Sequence, residues 1–173
     1  EVNRLQKLLA TPYFRAYTAT DVAGVEFAGA LKNVVAIAAG VVSGLKLGYN
    51  AQAALINRGI AEIIRLGKKR GAKPLTFLGL SGMGDLILTC TGPLSRNRRL
   101  GILLGEGRNL QEAMKELGGV AEGYYTAQSA LALSKKLKVD MPITQEVYRM
   151  LYEKSTPHES LSRLMSRDLT AEW

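Results

Sequence analysis

Residues 22–43, VAGVEFAGALKNVVAIAAGVVS, decide the fold of this chain. Asp21 stands in front of them as a helix cap, no proline interrupts them, and apolar residues recur on every side of a 3.6-residue period. Ala28, Gly29, Ala30, Ala36, Ala38, Ala39 and Gly40 keep the helix lean, so neighbouring backbones or a ligand can approach it closely. A helix apolar all round belongs at the centre of a protein, with others wrapped about it. Lys32 interrupts its longest apolar run, Phe27–Leu45, so no membrane span is expected.

Downstream of this helix the sequence reads as helices alone. Asn50 is a cap for a helix to about Arg70, closed by Gly71. Pro74 suits the first turn of a short helix, and Gly79–Gly84 reads as a flexible connection before a helix over 85–90. Ser95 caps a helix to about Leu104, and Asn109 caps another to Leu117, ended by Gly118-Gly119. Further helices are expected over 123–137, 143–153 and 157–166, the last opened by Thr156, Pro157 and Glu159 in a capping box. Upstream, Val2, Leu5 and Leu9 share a helical face, which puts Glu1 inside a helix and implies chain before it. Residues 13–20 read as a strand without a partner in the chain, whose sheet is expected in a preceding domain or another copy.

The fold class is therefore all-α, a multi-helix domain over residues 21–173 preceded by a helix and short strand over 1–20. With 173 residues, 47% apolar and 22% charged, the chain can bury a core without staples. Cys90 and His158 are single representatives of their types, which excludes a disulfide framework and a His/Cys metal cluster. A lone thiol and no leader at the N-terminus give a cytoplasmic expectation. The net charge of +8 favours an anionic partner: nucleic acid, membrane surface or phosphorylated small molecule. Short basic clusters at 68–70, 96–99 and 135–136 are neither a long arm nor interleaved with aromatics, which argues against nucleic acid.

Three places can carry chemistry. Lys32 is the one charged side chain between Glu26 and Lys46 in a helix that reads as buried. Either it reaches solvent or a structural carboxylate, or it serves as an acid or base, with Asn33 about 100° round the helix beside the same ligand. Asp85 follows Ser81-Gly82-Met83-Gly84, and spacing alone favours a capping role over presentation into a cleft. Gly82-Met83-Gly84 is not a dinucleotide fingerprint, because Ile87 holds the third glycine position and no strong strand precedes it. Ser95-Arg96-Asn97-Arg98-Arg99 is either a phosphate site at a helix N-terminus or a solvated basic face.

Taken together, Gly29–Asn33, Asn57-Arg58-Gly59, Gly82–Leu86, Ser95–Arg98, Glu122-Gly123 and Met141–Thr144 resemble, in order and spacing, the C-terminal domain of bacterial NAD(P)-dependent glycerol-3-phosphate dehydrogenases. The resemblance implies the helical fold of the 6-phosphogluconate dehydrogenase-like superfamily. It implies that Lys32 is the catalytic proton donor and acceptor, and that Lys32, Asn33, Asp85, Ser95, Arg96 and Asn97 contact glycerol 3-phosphate or dihydroxyacetone phosphate. It further implies that Arg96, Val120 and Glu122 touch NAD or NADP, held mainly by an N-terminal Rossmann domain that this chain lacks. A homodimer, a role in glycerophospholipid synthesis and inactivity of the separated domain follow as expectations. Gly92-Pro93-Leu94 is less polar than the family pattern leads one to expect before the Ser-Arg-Asn turn. The alternatives are another oxidoreductase of the same superfamily, or a basic helical nucleic-acid-binding module.

Overall fold

The computed structural model describes residues 1–169 and 171 of the chain. Its helices are α1 (Val2–Leu9), α2 (Val22–Gly44), α3 (Tyr49–Lys68), α4 (Pro74–Leu78), α5 (Asp85–Thr91), α6 (Arg96–Gly105), α7 (Leu110–Leu117), α8 (Glu122–Leu137), α9 (Pro142–Tyr152) and α10 (Pro157–Met165). A single π-helical turn, Leu80–Gly84, joins α4 to α5.

α2 is the axis of the domain, because two stripes of its side chains enter two cores. Leu31, Val35 and Ala39 pack with Ile60, Ile63, Leu66, Phe77 and Leu86 of α3, α4 and α5. Val34, Ile37, Ala38 and Val41 pack with Leu100, Leu103, Val147 and Leu151 of α6 and α9. Among the described helices α2 alone has the length and apolarity to cross a membrane, Lys32 notwithstanding. Since 67% of its apolar window is buried by the rest of the chain, it is a core helix.

The lean composition of α2 serves its contact with α6. A Cβ on Gly40 would lie 2.1 Å from the Arg98 carbonyl oxygen, and one on Gly101 would lie 1.9 Å from that of Ile37. Gly44 and Gly105 repeat the arrangement one turn on, each Cβ within 2.7 Å of the facing backbone. Two helices in backbone contact set the start of α6 firmly beside the middle of α2.

The helix starts follow the local chemistry of the sequence in most places. The Asp21 carboxylate accepts from Gly24 N at 3.0 Å and also from Lys73 N at 2.8 Å and Thr76 Oγ1 at 2.6 Å, tying α2 to α4. These bonds, the Thr76 hydroxyl first, hold its acid below the usual carboxylate range. Asn109 and Thr156 form complete capping boxes with Glu112 and Glu159. Asn50 is not a cap: α3 begins earlier, behind Gly48, which takes φ +89° as only glycine readily does.

The expected strand over 13–20 does not form. Thr11 and Phe14 make one isolated antiparallel bridge, and no strand stands among the described residues to receive a ladder. The segment is instead held back towards α1 by Gln6, whose side chain donates to the Ala16 carbonyl at 2.9 Å. α1 has no buried residue, and Val2, Leu5, Leu8 and Leu9 are all more than half exposed.

One structural carboxylate escaped the sequence reading. Glu62 of α3 is 1% exposed and accepts from Ile143 N at 2.6 Å, Thr144 N at 3.1 Å and Thr144 Oγ1 at 3.0 Å, so α3 caps α9 from outside. Burial pushes its acid up to about 7, against the opposing pull of these bonds and of Arg65. The folded state thus holds this proton more tightly than the unfolded chain. Its contribution to stability is full below about pH 4.5 and is lost as pH rises through about 7, a span worth roughly 3 kcal/mol. Denaturant titrations between pH 4 and 8 should show this slope and its loss in Glu62→Gln. Glu62→Ala, which strands the α9 donors, should cost roughly 3 kcal/mol.

Candidate functional site

Lys32, at the middle of α2, extends towards the first turn of α5, where its Nζ donates to Asp85 Oδ2 at 2.5 Å. Both side chains remain partly open to solvent, at 23% and 34%. Asp85 makes no capping bond within its own helix, so the capping role favoured by its spacing is set aside. The connection before it is an ordered π turn, not a slack loop. A Cβ on Gly82 would lie 2.1 Å from the Phe77 carbonyl oxygen, and this close approach delivers Asp85 to Lys32. Thr89, one turn further along α5, donates to the Asp85 carbonyl at 2.6 Å and lies 3.3 Å from its Oδ1.

Opposite this pair stands the N-terminus of α6. Ser95 caps it, accepting from Arg98 N at 3.2 Å, and leaves the first backbone N–H groups of the helix facing outward. Arg96 is exposed, and its Nη1 would sit 3.2 Å from a Cβ on Gly119, so the guanidinium reaches over the link between α7 and α8. Free N–H groups, the positive end of a helix and a planar cation together make a local environment for an anion.

Asn33 and Asn97 are bound to each other. Asn97 Nδ2 donates to Asn33 Oδ1 at 3.0 Å, Gly123 N donates to Asn97 Oδ1 at 2.8 Å, and Asn33 Nδ2 donates to Glu122 Oε2 at 3.3 Å. Both asparagines are more than nine-tenths buried. This chain of amides joins α2, α6 and α8 into one wall, and it commits about half of the hydrogen-bonding capacity that the two asparagines offered for a ligand.

Between these groups lies a cleft of about 380 Å³, bordered by Lys32, Asn33, Ser95, Arg96, Asn97, Val120 and Glu122. All seven were singled out in the sequence, and Asp85 joins them through Lys32. Gly92-Pro93-Leu94, noted in the sequence for its low polarity, forms an apolar lip of the same space, and Thr89, which was not singled out, borders it too. Thr89 was accessible to reasoning, since it lies four residues from Asp85 on one helical face. Among the described residues no group of three or more His, Cys, Asp or Glu side chains is placed to hold a metal.

Fold and site together define an all-helical domain that sets a lysine–aspartate pair against an arginine-bearing helix start across one small cleft. The chain belongs to the family described as the NAD-dependent glycerol-3-phosphate dehydrogenase C-terminus, whose pattern matches residues 21–162. A glycerol-3-phosphate dehydrogenase [NAD(P)+] of Geobacter metallireducens is 56% identical over 169 residues, covering 98% of this chain and 50% of that protein. Crystallographic glycerol-3-phosphate dehydrogenase from Coxiella burnetii superimposes with a TM-score of 0.90 at 45% identity, over 95% of this chain and 51% of that one. The enzyme from Saccharomyces cerevisiae gives 0.85 at 33% identity, over 94% and 48%. The chain thus spans about half the length of the relatives it matches.

Proposed function

We propose that this domain is the substrate side of a glycerol-3-phosphate dehydrogenase, which interconverts dihydroxyacetone phosphate and sn-glycerol 3-phosphate for glycerophospholipid synthesis. The observation that carries this reading is Lys32, bound to Asp85 and bordering the same cleft as the Arg96 helix start. The phosphate of the triose binds at the α6 N-terminus and Arg96, and Ser95 and Asn97 shape that end. With the phosphate fixed there, the ketone is directed towards Lys32. NAD or NADP, when bound, supplies or accepts the hydride. As negative charge develops on the ketone oxygen, the Lys32 ammonium stabilises it and delivers the proton, while Asp85 orients the ammonium. In the reverse direction Lys32 takes the hydroxyl proton.

The cleft suits a triose phosphate and the reacting end of a dinucleotide, but it is at the small end of ligand pockets. Half-exposed Val120 offers an apolar edge to a ring, and Glu122 an acceptor to an amide. The remainder of the cofactor therefore belongs to an N-terminal nucleotide-binding domain. Residues 1–20 are assigned to the end of that domain. Support comes from the uncovered apolar face of α1, the unpaired segment over 13–20 and the start of the family match at Asp21. The domain alone is then inactive, and NADH oxidation by it would contradict this. The same reading takes the whole enzyme to be a homodimer, from the family resemblance, and cytoplasmic, from its single thiol.

Arg96→Ala in the full-length protein tests the phosphate assignment. It should lower kcat/KM for dihydroxyacetone phosphate roughly 100-fold, in line with the loss of a charge-assisted contact, and change that for unphosphorylated dihydroxyacetone little. An equal loss with both ketones would show that Arg96 does not read the phosphate.

A further inference from the structure

Six exposed cations stand at the C-terminal ends of α3 and α8, and the dehydrogenase reading leaves them without a task. α3 ends in Lys68, Lys69 and Arg70, α8 ends in Lys135, Lys136 and Lys138, and all six are exposed. Two arginines draw these ends together at Asp140. Arg65, on the same face of α3 as Lys68 and Lys69, donates through Nε and Nη2 to the Asp140 carbonyl at 3.2 and 2.9 Å. Arg167, beyond α10, binds the Asp140 carboxylate at 2.6 Å. α10 itself is held to α9 by the bond from Arg163 to buried Glu146. Among the described residues none of the six cations is paired with a carboxylate.

A cation near a helix C-terminus complements the dipole, but that effect fades beyond the last turn and does not account for three at each end. Lys138 makes the point sharper. It takes φ +53°, a position that glycine or asparagine usually fills, so a cation stands where backbone preference opposes it. Met165 and Leu169, at 77% and 102% exposure, stand two residues to either side of Arg167 in the chain. A basic field bordered by exposed aliphatic side chains has the chemistry of an interfacial lipid contact. Nucleic acid is the poorer fit, because residues 65–73 and 131–141 contain no aromatic residue on which bases could stack.

We propose that this basic pole docks the protein on an anionic membrane surface. α8, 16 residues and so roughly 24 Å long, runs from the cleft to the pole. The cleft therefore stays open to solutes while the pole is in contact. This inference does not rest on the dehydrogenase reading, since Lys32→Ala should depress turnover and leave docking intact.

The test is sedimentation of the full-length protein with vesicles of phosphatidylcholine mixed with phosphatidylglycerol, against vesicles of phosphatidylcholine alone, at low salt. Binding is expected only to the anionic vesicles, falling at least ~10-fold in high salt. The double variants Lys68→Glu/Lys69→Glu and Lys135→Glu/Lys136→Glu should each weaken it roughly 25-fold or more, at about five-fold per cation removed, with turnover unchanged as the check on folding. Absence of binding to anionic vesicles would overturn the proposal. So would binding that neither variant weakens, or tighter binding to duplex DNA than to the vesicles at the same salt.

Discussion

Lys32→Ala in the full-length protein is expected to lower turnover of dihydroxyacetone phosphate roughly 1000-fold, with a change in KM of only several-fold. The ammonium of Lys32 and the guanidinium of Arg96 lie at different places along the cleft, so their losses should differ in kind. Removing the phosphate anchor weakens binding in ground and transition states alike. Removing the proton donor acts where charge develops on the ketone oxygen, which is felt in the transition state. Asp85 is already 34% exposed with its partner in place, so water can solvate it in the variant and the fold should tolerate the substitution. An unfolding midpoint close to wild type with turnover lost is the expected pair of measurements. Equal turnover in variant and wild type would remove Lys32 from the chemistry.

The largest effect on stability is expected at Gly101. An alanine there would place its Cβ 1.9 Å from the Ile37 carbonyl oxygen, and the facing atom is backbone that cannot rotate aside. α6 must then lift from α2, opening the core formed by Ile37, Leu100 and Leu103 and carrying Arg96 away from Lys32. Gly101→Ala should cost about 3 kcal/mol or more in denaturant unfolding. Gly29 on α2 is the control, because nothing lies within 4 Å of a Cβ built there. Gly29→Ala should be neutral or stabilising by a few tenths of a kcal/mol, since alanine loses less backbone freedom in a helix. Equal behaviour of the two variants would mean that the close α2–α6 contact is not what holds the site together.

The contrast between these glycines bears on how much the sequence revealed. Both sit in or beside lean helices, and composition announced that α2 would be approached closely, but not by which neighbour. Caps at Asp21, Ser95, Asn109 and Thr156 were legible because the physics that places them spans three or four residues. The Lys32–Asp85 bond joins residues 53 apart in sequence, and locally Asp85 had the position of a cap. Family spacing brought the two together, where local preference pointed elsewhere. Glu62 was hidden for the same reason: its partners, Ile143 and Thr144, lie some 80 positions along the chain and meet it only through tertiary packing. The segment over 13–20 shows the opposite failure. Its β-branched and aromatic residues state a preference, but a strand exists only with a neighbour to bond, and none stands among the described residues.

Asn33 and Asn97 were drawn from the sequence as ligand contacts, and the geometry gives them an additional task. Bound to each other, to Gly123 and to Glu122, they hold the wall against which Arg96 and Lys32 face one another. A polar network of this kind is satisfied as a whole, so it fixes helix positions more firmly than apolar packing alone.

The most direct measurement is NADH or NADPH oxidation by the full-length protein with a panel of carbonyl substrates: dihydroxyacetone phosphate, unphosphorylated dihydroxyacetone, keto acids and sugar acids. The account predicts efficient turnover with dihydroxyacetone phosphate, weak turnover with its unphosphorylated counterpart and none with the acids. Turnover of a keto or sugar acid with dihydroxyacetone phosphate left untouched would contradict it.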